Sequence, residues 1–244
     1  MNKISPILQT LALLPLQGQA FPRQTTRYVQ VAIRAFHHTP SQRNTAQSQP
    51  HLLPEFSLED KVIVVSGGAR GLGLVQIEAL LEAGATVHAV DRLPSPVEDP
   101  KSNFSQVSDR GRELGTSLHY HQVDIRDVPG LNRIFEDMAN GAGRLDGLIA
   151  ASAAVVQLAR NLAMEWGEHG IRVNTFSPGY ILTQMLQNLF NDYPDRRKKW
   201  PEENLLGRLS TPEEYRGAAV FLLSDASSFM TGADLRMDGG QAVW

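Results

Sequence analysis

Ser66-Gly67-Gly68-Ala69-Arg70-Gly71-Leu72-Gly73 lies between a short apolar run, Lys61–Ser66, and a helical pattern, Leu72–Ala83. Backbone amides at a helix N-terminus can hold a pyrophosphate, provided no Cβ blocks its approach. In such a loop Gly67 allows the tight turn, Gly71 the close approach of the ligand, and Gly73 the packing of helix on strand. Arg70 adds positive charge, and Ser66 and Leu72 complete the lining. Asp91 ends the next apolar run, 24 residues after Gly67. A carboxylate there accepts from both hydroxyls of an adenosine ribose and repels a 2′-phosphate, which favours NAD. Arg92, together with Arg70, leaves NADP open. Asp124 ends a third run and is either a ligand contact or a helix-capping carboxylate. Glycines alone make ordinary turns, and an Asp at a strand end is common; it is the strand–glycine–helix order that points to a dinucleotide.

The elements that must position these residues follow from the pattern. Lys61–Ser66, Ala85–Asp91, Ser117–Asp124, Leu145–Ala150, Ile171–Ser177 and Gly232–Asp238 are expected strands. Expected helices cover Leu72–Ala83, a stretch ending near Leu114, Val128–Ala139 and Ala153–His169, the last closed by Gly170. Residues 184–211 are expected to form helical pieces broken at Pro194 and Pro201. Thr211 with Pro212 and Glu214 starts another helix by a capping box. Strands alternating with helices imply an α/β, Rossmann-type, doubly wound parallel sheet.

Charge divides the chain in two. Residues 1–54 hold five basic residues (Lys3, Arg23, Arg27, Arg34, Arg43) and no acid; the remainder has 18 basic and 26 acidic residues. An acid-free, Arg-bearing leader ahead of an acidic domain has the character of a mitochondrial transit peptide. Arg27–Phe36 would be its basic amphipathic helix, with Val29, Ala32, Ile33 and Phe36 on one side, and Arg34-Ala35-Phe36 its processing site. Lys3 with Ile4–Leu16 offers a secretory signal instead, though Pro6, Gln9 and Pro15 interrupt it; a leader without an address would leave the chain cytoplasmic. The domain is expected over 55–244, starting near Phe56. No run approaches the ~20 apolar residues of a membrane span. The net charge of −3 shows no basic stripe for nucleic acid. With no cysteine, disulfides and thiolate chemistry are excluded. His119 and His121, at i and i+2 on a strand, have poor metal geometry without a third ligand. No metal site is expected.

Together these segments resemble the short-chain dehydrogenase/reductase family, whose glycine motif is Thr-Gly-x-x-x-Gly-x-Gly with Ser66 in the Thr place. Arg172-Val173-Asn174 and Ser177-Pro178-Gly179-Tyr180-Ile181 with Thr183 resemble its nicotinamide-side loop. Asp225–Gly240 resembles its C-terminal segment. The wording around Leu162–Tyr180 and the Gly-Gly-x-x-x-Trp ending are similar to fungal polyol and ketose dehydrogenases of the arabinitol, sorbose or mannitol type. The resemblance implies an NAD(P)-dependent oxidoreductase that passes hydride between a secondary alcohol and a ketone. It also implies a polyol or ketose substrate and, in intact members, homo-oligomers. It would place Asp124 and Ile125 at the adenine, and Pro178, Gly179, Ile181 and Thr183 at the nicotinamide. The plainer roles remain a turn for Pro178-Gly179 and a helix N-cap for Thr183.

The family's proton chemistry needs Tyr-x-x-x-Lys and a Ser on the preceding strand. Tyr28, Tyr120, Tyr180, Tyr193 and Tyr215 are followed four residues on by Ala32, Asp124, Gln184, Arg197 and Ala219, so none has its Lys. Arg197 cannot titrate in its place. On the family pattern Leu148 falls in the Tyr place and Ser152 in the Lys place, yet Leu145–Ala151 also has the pattern of the fourth strand. An in-frame deletion beside Ala151, removing about one helix–strand unit with the Ser and the Tyr-x-x-x-Lys, accounts for both. No catalytic residue is then expected. Three readings stay open: an impaired enzyme, a catalytically dead cofactor-binding isoform, and a mis-spliced product that does not fold stably.

Overall fold

The computed structural model describes residues 29–35, 53–96, 102–142, 144–152 and 156–243. Its strands are β1 (Val29–Ala35), β2 (Val62–Ser66), β3 (Thr86–Asp91), β4 (Leu118–Gln122), β5 (Gly147–Ser152), β6 (Ile171–Pro178) and β7 (Asp234–Met237). Its helices are α1 (Gly71–Glu82), α2 (Asn103–Glu113), α3 (Val128–Ala142), α4 (Val156–Trp166), α5 (Gln184–Asp192), α6 (Arg196–Glu202) and α7 (Arg216–Leu223). One seven-stranded sheet runs β4-β3-β2-β5-β1-β6-β7. The chain winds outward from β2 through β3 to β4, then crosses back to β5. The crevice of such a sheet lies at that reversal, beyond the carboxyl ends of β2 and β5.

Two apolar layers flank the sheet. Ile63, Val65, Val87 and Ala89 pack with Ile77, Leu80 and Leu81 of α1 and Leu222 and Leu223 of α7. Val64, Val90 and Leu148 pack on the other face with Phe135 and Met138 of α3 and Leu162 and Trp166 of α4. Successive residues of β2 and β3 thus serve opposite cores, which is why Val62–Val65 is a continuous apolar run.

The structure places a strand where a helix of the leader was expected. Residues 29–35, expected to form a basic amphipathic helix outside the fold, are a strand of the central sheet. It runs antiparallel to both neighbours, pairing Val29 with Ser152 through Arg34 with Gly147 on one side, and Gln30 with Phe176 through Ala35 with Ile171 on the other. The remaining strand pairs are parallel. The sequence Val-Gln-Val-Ala-Ile-Arg-Ala suits a strand as well as a helix, and unpaired backbone on β5 and β6 favours the strand. β1 stands between β5 and β6. The rest of the expected transit peptide and its processing site at Phe36 lie outside the described residues.

The ambiguous stretch around Leu148 is strand: Leu148 sits in β5, buried and paired with Val64. Pro201, expected to break a helix, lies within α6. The loss is small because it falls in the last turn of a short helix, where an intrahelical bond is easily forgone. Thr211 and Glu214 form the capping box, but its first turn, Pro212–Tyr215, is 3₁₀ before α7 begins.

Candidate functional site

The glycine loop follows β2 directly. Gly67 has φ +73°, a conformation that disfavours a side chain, and its amide donates to Val90 O at 2.8 Å, tying the turn to β3. Gly73 is fixed by crowding, since a Cβ there would lie 2.3 Å from Gly67 O. At Gly71, by contrast, a Cβ would meet nothing within 4 Å, so the loop is open on that side. Ser66 and Leu72 are half-buried and Arg70, the N-cap of α1, is exposed. Gly68, which the sequence did not single out, is equally constrained: its Cβ would strike Ile77 and Ala89 at 2.7 and 2.9 Å.

Asp91 ends β3 beside this loop. Its Oδ2 accepts from Ala69 N at 3.1 Å and its Oδ1 from Leu93 N at 3.2 Å. The carboxylate therefore braces the glycine loop and the turn after β3 together. Tyr120 supports that turn by donating to Leu93 O at 2.7 Å, and burial, with the Asp91 charge, pushes its phenol up to about 12. Arg92 is exposed and contributes positive potential at Asp124.

Asp124 is not a helix cap. Asp127 caps α3, accepting from Gly130 N at 3.1 Å, while Asp124 is clamped by Arg126. Hydrogen bonds from the Arg126 side chain and amide hold the Asp124 carboxyl at about 2. Arg126 escaped sequence reading, although an acid–x–Arg spacing at a strand end is its signal. Ile125 beside them is 51% exposed, an apolar surface left at the carboxyl edge of the sheet.

At the far side, Pro178 ends β6 and Gly179 N donates to Met237 O at 3.0 Å. Ile181 bridges to Ser210. Thr183 caps α5, its hydroxyl accepting from Leu186 N at 3.4 Å, so the plainer role holds for the free chain. Behind this turn lies a cavity of about 220 Å³, lined among others by Gly179, Tyr180, Asn204, Arg208, Tyr215 and Asp238. Arg172 and Asn174, the family-like pair on β6, are structural. The buried Arg172 guanidinium donates to the carbonyls of Met230, Leu222 and Ser224. Asn174 donates to Met230 O and accepts from Ala233 N.

The described tyrosines do not make an acid–base pair. A phenol that exchanges protons near neutral pH needs a lowered pKa. Tyr120 is raised, and so is Tyr215, by burial, its hydroxyl shared with Ser210 at 2.6 Å. Tyr180 stacks on Trp200 at 4.1 Å and donates to Glu203 Oε2. Tyr193 lies under the Arg196 guanidinium. Tyr28 is outside the described residues. Where a strand between β5 and β6 would present its end to the crevice, β1 sets Val29 opposite Ser152 and Gln30 opposite Phe176.

His88 joins His119 and His121 across β3 and β4, a third histidine the sequence did not connect to them. Its ring stacks on both, at 4.7 and 5.2 Å, and its Nδ1 lies 2.9 Å from His121 Nε2. Burial, then its two neighbours, lowers His88 to about 4. Stacked rings do not converge on one point, and among the described residues no group of three ligands is placed to hold a metal.

The short chain dehydrogenase family matches residues 61–153, and the Enoyl-(Acyl carrier protein) reductase family matches residues 149–242. Galactitol 2-dehydrogenase of Rhizobium johnstonii is 30% identical over 253 residues, 78% of this chain and 98% of the relative. D-arabinitol 2-dehydrogenase of Candida tropicalis is 27% identical over 275 residues, 81% and 98% of the two chains. Both alignments are longer than the 244-residue chain, so the relatives carry residues with no counterpart here. Among solved structures, carveol dehydrogenase from Mycobacterium avium, in complex with NAD, covers 77% of this chain and 99% of its own, with a TM-score of 0.66 and 22% identity, a likeness of fold.

Proposed function

The chain belongs to the short-chain dehydrogenase/reductase family of NAD(P)-dependent oxidoreductases that interconvert alcohols and ketones, and from that premise we propose that it binds NAD but turns over little substrate. The observation that carries the first half is the Asp91 carboxylate fixed against the glycine loop. The loop fits a dinucleotide: it is open at Gly71, it starts a 12-residue helix, and it has Arg70 exposed at the N-cap. Ser66, Gly67, Gly71, Leu72 and Gly73 would hold the pyrophosphate, with Arg70 adding charge. Asp91 would accept from the ribose hydroxyls, and its charge disfavours a 2′-phosphate. Asp124 and Ile125 would flank the adenine. Pro178, Gly179, Ile181 and Thr183 would meet the nicotinamide, which when bound supplies the hydride donor or acceptor.

The second half rests on what this chain's own residues do not do. No Tyr-x-x-x-Lys occurs in the sequence, and Tyr120 and Tyr215 have phenols shifted away from neutrality. The relatives' names favour a polyol or ketose as the class of molecule an intact site would accept. The acid-free, Arg-bearing N-terminal residues favour mitochondria as the destination, with β1 retained in the fold.

A thermal-shift titration tests the cofactor reading. NADH at a hundred times its dissociation constant is expected to stabilise the chain by about 2.7 kcal/mol. No response to NADH or NADPH would overturn the proposal in favour of a product that does not fold stably.

A further inference from the structure

β1 enters the sheet from the N-terminal segment, far along the chain from its two neighbours. β5 and β6 are joined through α4, and a crossover of this kind can skip one strand position. That position faces a row of amides and carbonyls on each side, between two apolar layers where water cannot satisfy them. Several findings locate a lost unit there. The two family matches meet at residues 149–153, at the end of β5, and the relatives' alignments exceed the length of this chain. A strand delivered through a crossover helix would run parallel to the others. β1 arrives without one and runs antiparallel, pairing six residues on each side. α4 and α7 both pack against it.

We propose that the gap between β5 and β6 is a strand-acceptor slot, which residues 29–35 fill in cis. The N-terminal segment then completes the fold, and it is not a disposable leader. Cleavage after Phe36 would remove the strand, so targeting with processing and folding of this chain exclude one another: the folded form is the uncleaved one. This inference is independent of the cofactor reading, because it concerns the sheet.

The absence of cysteine makes the register directly testable. Antiparallel partners lie ~4.5–5.5 Å apart between Cα atoms, within disulfide reach. In the full chain, mild oxidation should close Gln30→Cys with Ala151→Cys, and Ala35→Cys with Ile171→Cys. Gln30→Cys with Ile171→Cys, at opposite ends of the ladder, should stay open. Failure of both in-register pairs in soluble protein, or equal closure of the mismatched pair, would overturn the proposal. A chain beginning at His37 should lose its cooperative thermal transition and regain it when a peptide of residues 27–37 is added. An unchanged melting midpoint without residues 1–36 would equally overturn it.

Discussion

The two halves of the sheet are built to different standards of completeness. In the half from β2 to β4 the loop and strand ends lock together, with Gly67 bonded to Val90, Ala69 to Asp91 and Tyr120 to Leu93. In the half from β5 to β7 the framework is equally well bonded, through Arg172 and Asn174, yet the strand at its centre comes from the N-terminal segment. On the proposed reading the first half keeps what a dinucleotide needs, while the described tyrosines, none of which lies in the first half's glycine loop, do not form an acid–base pair. If the proposed function holds, cofactor binding and proton transfer are separable in this fold, the first resting on backbone amides and a carboxylate.

The sharpest way to break this comparison is to restore the second half. A chain carrying a relative's helix–strand–Tyr-x-x-x-Lys segment between Ala151 and Ser152 should oxidise a polyol about 10²–10⁴ times faster than the unmodified chain, followed by NADH absorbance. Such groups act as a unit, so no single substitution should recover much of that rate. Turnover above ~1 s⁻¹ from the unmodified chain, within the ordinary enzyme range, would erase the distinction between the halves.

In the first half, Asp91→Ala should weaken NADH binding roughly ten- to a hundredfold, the worth of hydrogen bonds to a charged group. The same change should narrow the preference against NADPH, measured by paired calorimetric titrations. Equal losses for both nucleotides would assign Asp91 to bracing the loop alone.

The scaffold of the second half is tested by Arg172→Met, which strips donors from three carbonyls. A loss of about 2–4 kcal/mol is expected in urea unfolding. Arg208→Met, which breaks an exposed pair with Glu214, should cost at most ~1 kcal/mol. Similar values for the two would show that the buried guanidinium is not structural.

The smallest expected effect is a pH dependence confined to β3 and β4. His88 is lowered to about 4 and His121 is lowered too, so the unfolded chain binds more protons than the folded one below about 6.5. Their contribution is complete above that value and is lost as pH falls towards 4. His88→Phe should flatten this part of a stability–pH curve, while leaving the curve above pH 7 unchanged in shape.

The sequence determined the elements that depend on near neighbours. Alternating apolar strands and helices were legible because burial on both faces leaves continuous runs such as Val62–Val65. The glycine loop was legible because its φ and close-approach demands exclude other residues at Gly67 and Gly73. The absence of Tyr-x-x-x-Lys could be read outright. What tertiary structure alone decided are pairings between distant segments. Asp91 could be placed at a strand end but not on the amide of Ala69, and Asp124 yielded its capping role to Asp127. His88 met His119 and His121 only through the register of β3 on β4. Residues 29–35 carried a pattern compatible with helix or strand, and nothing local chose between them. Their partners reach from Gly147 to Phe176, far along the chain. The choice belongs to the unpaired backbone of β5 and β6, because a buried hydrogen-bonding group without a partner costs more than a weak local preference can supply.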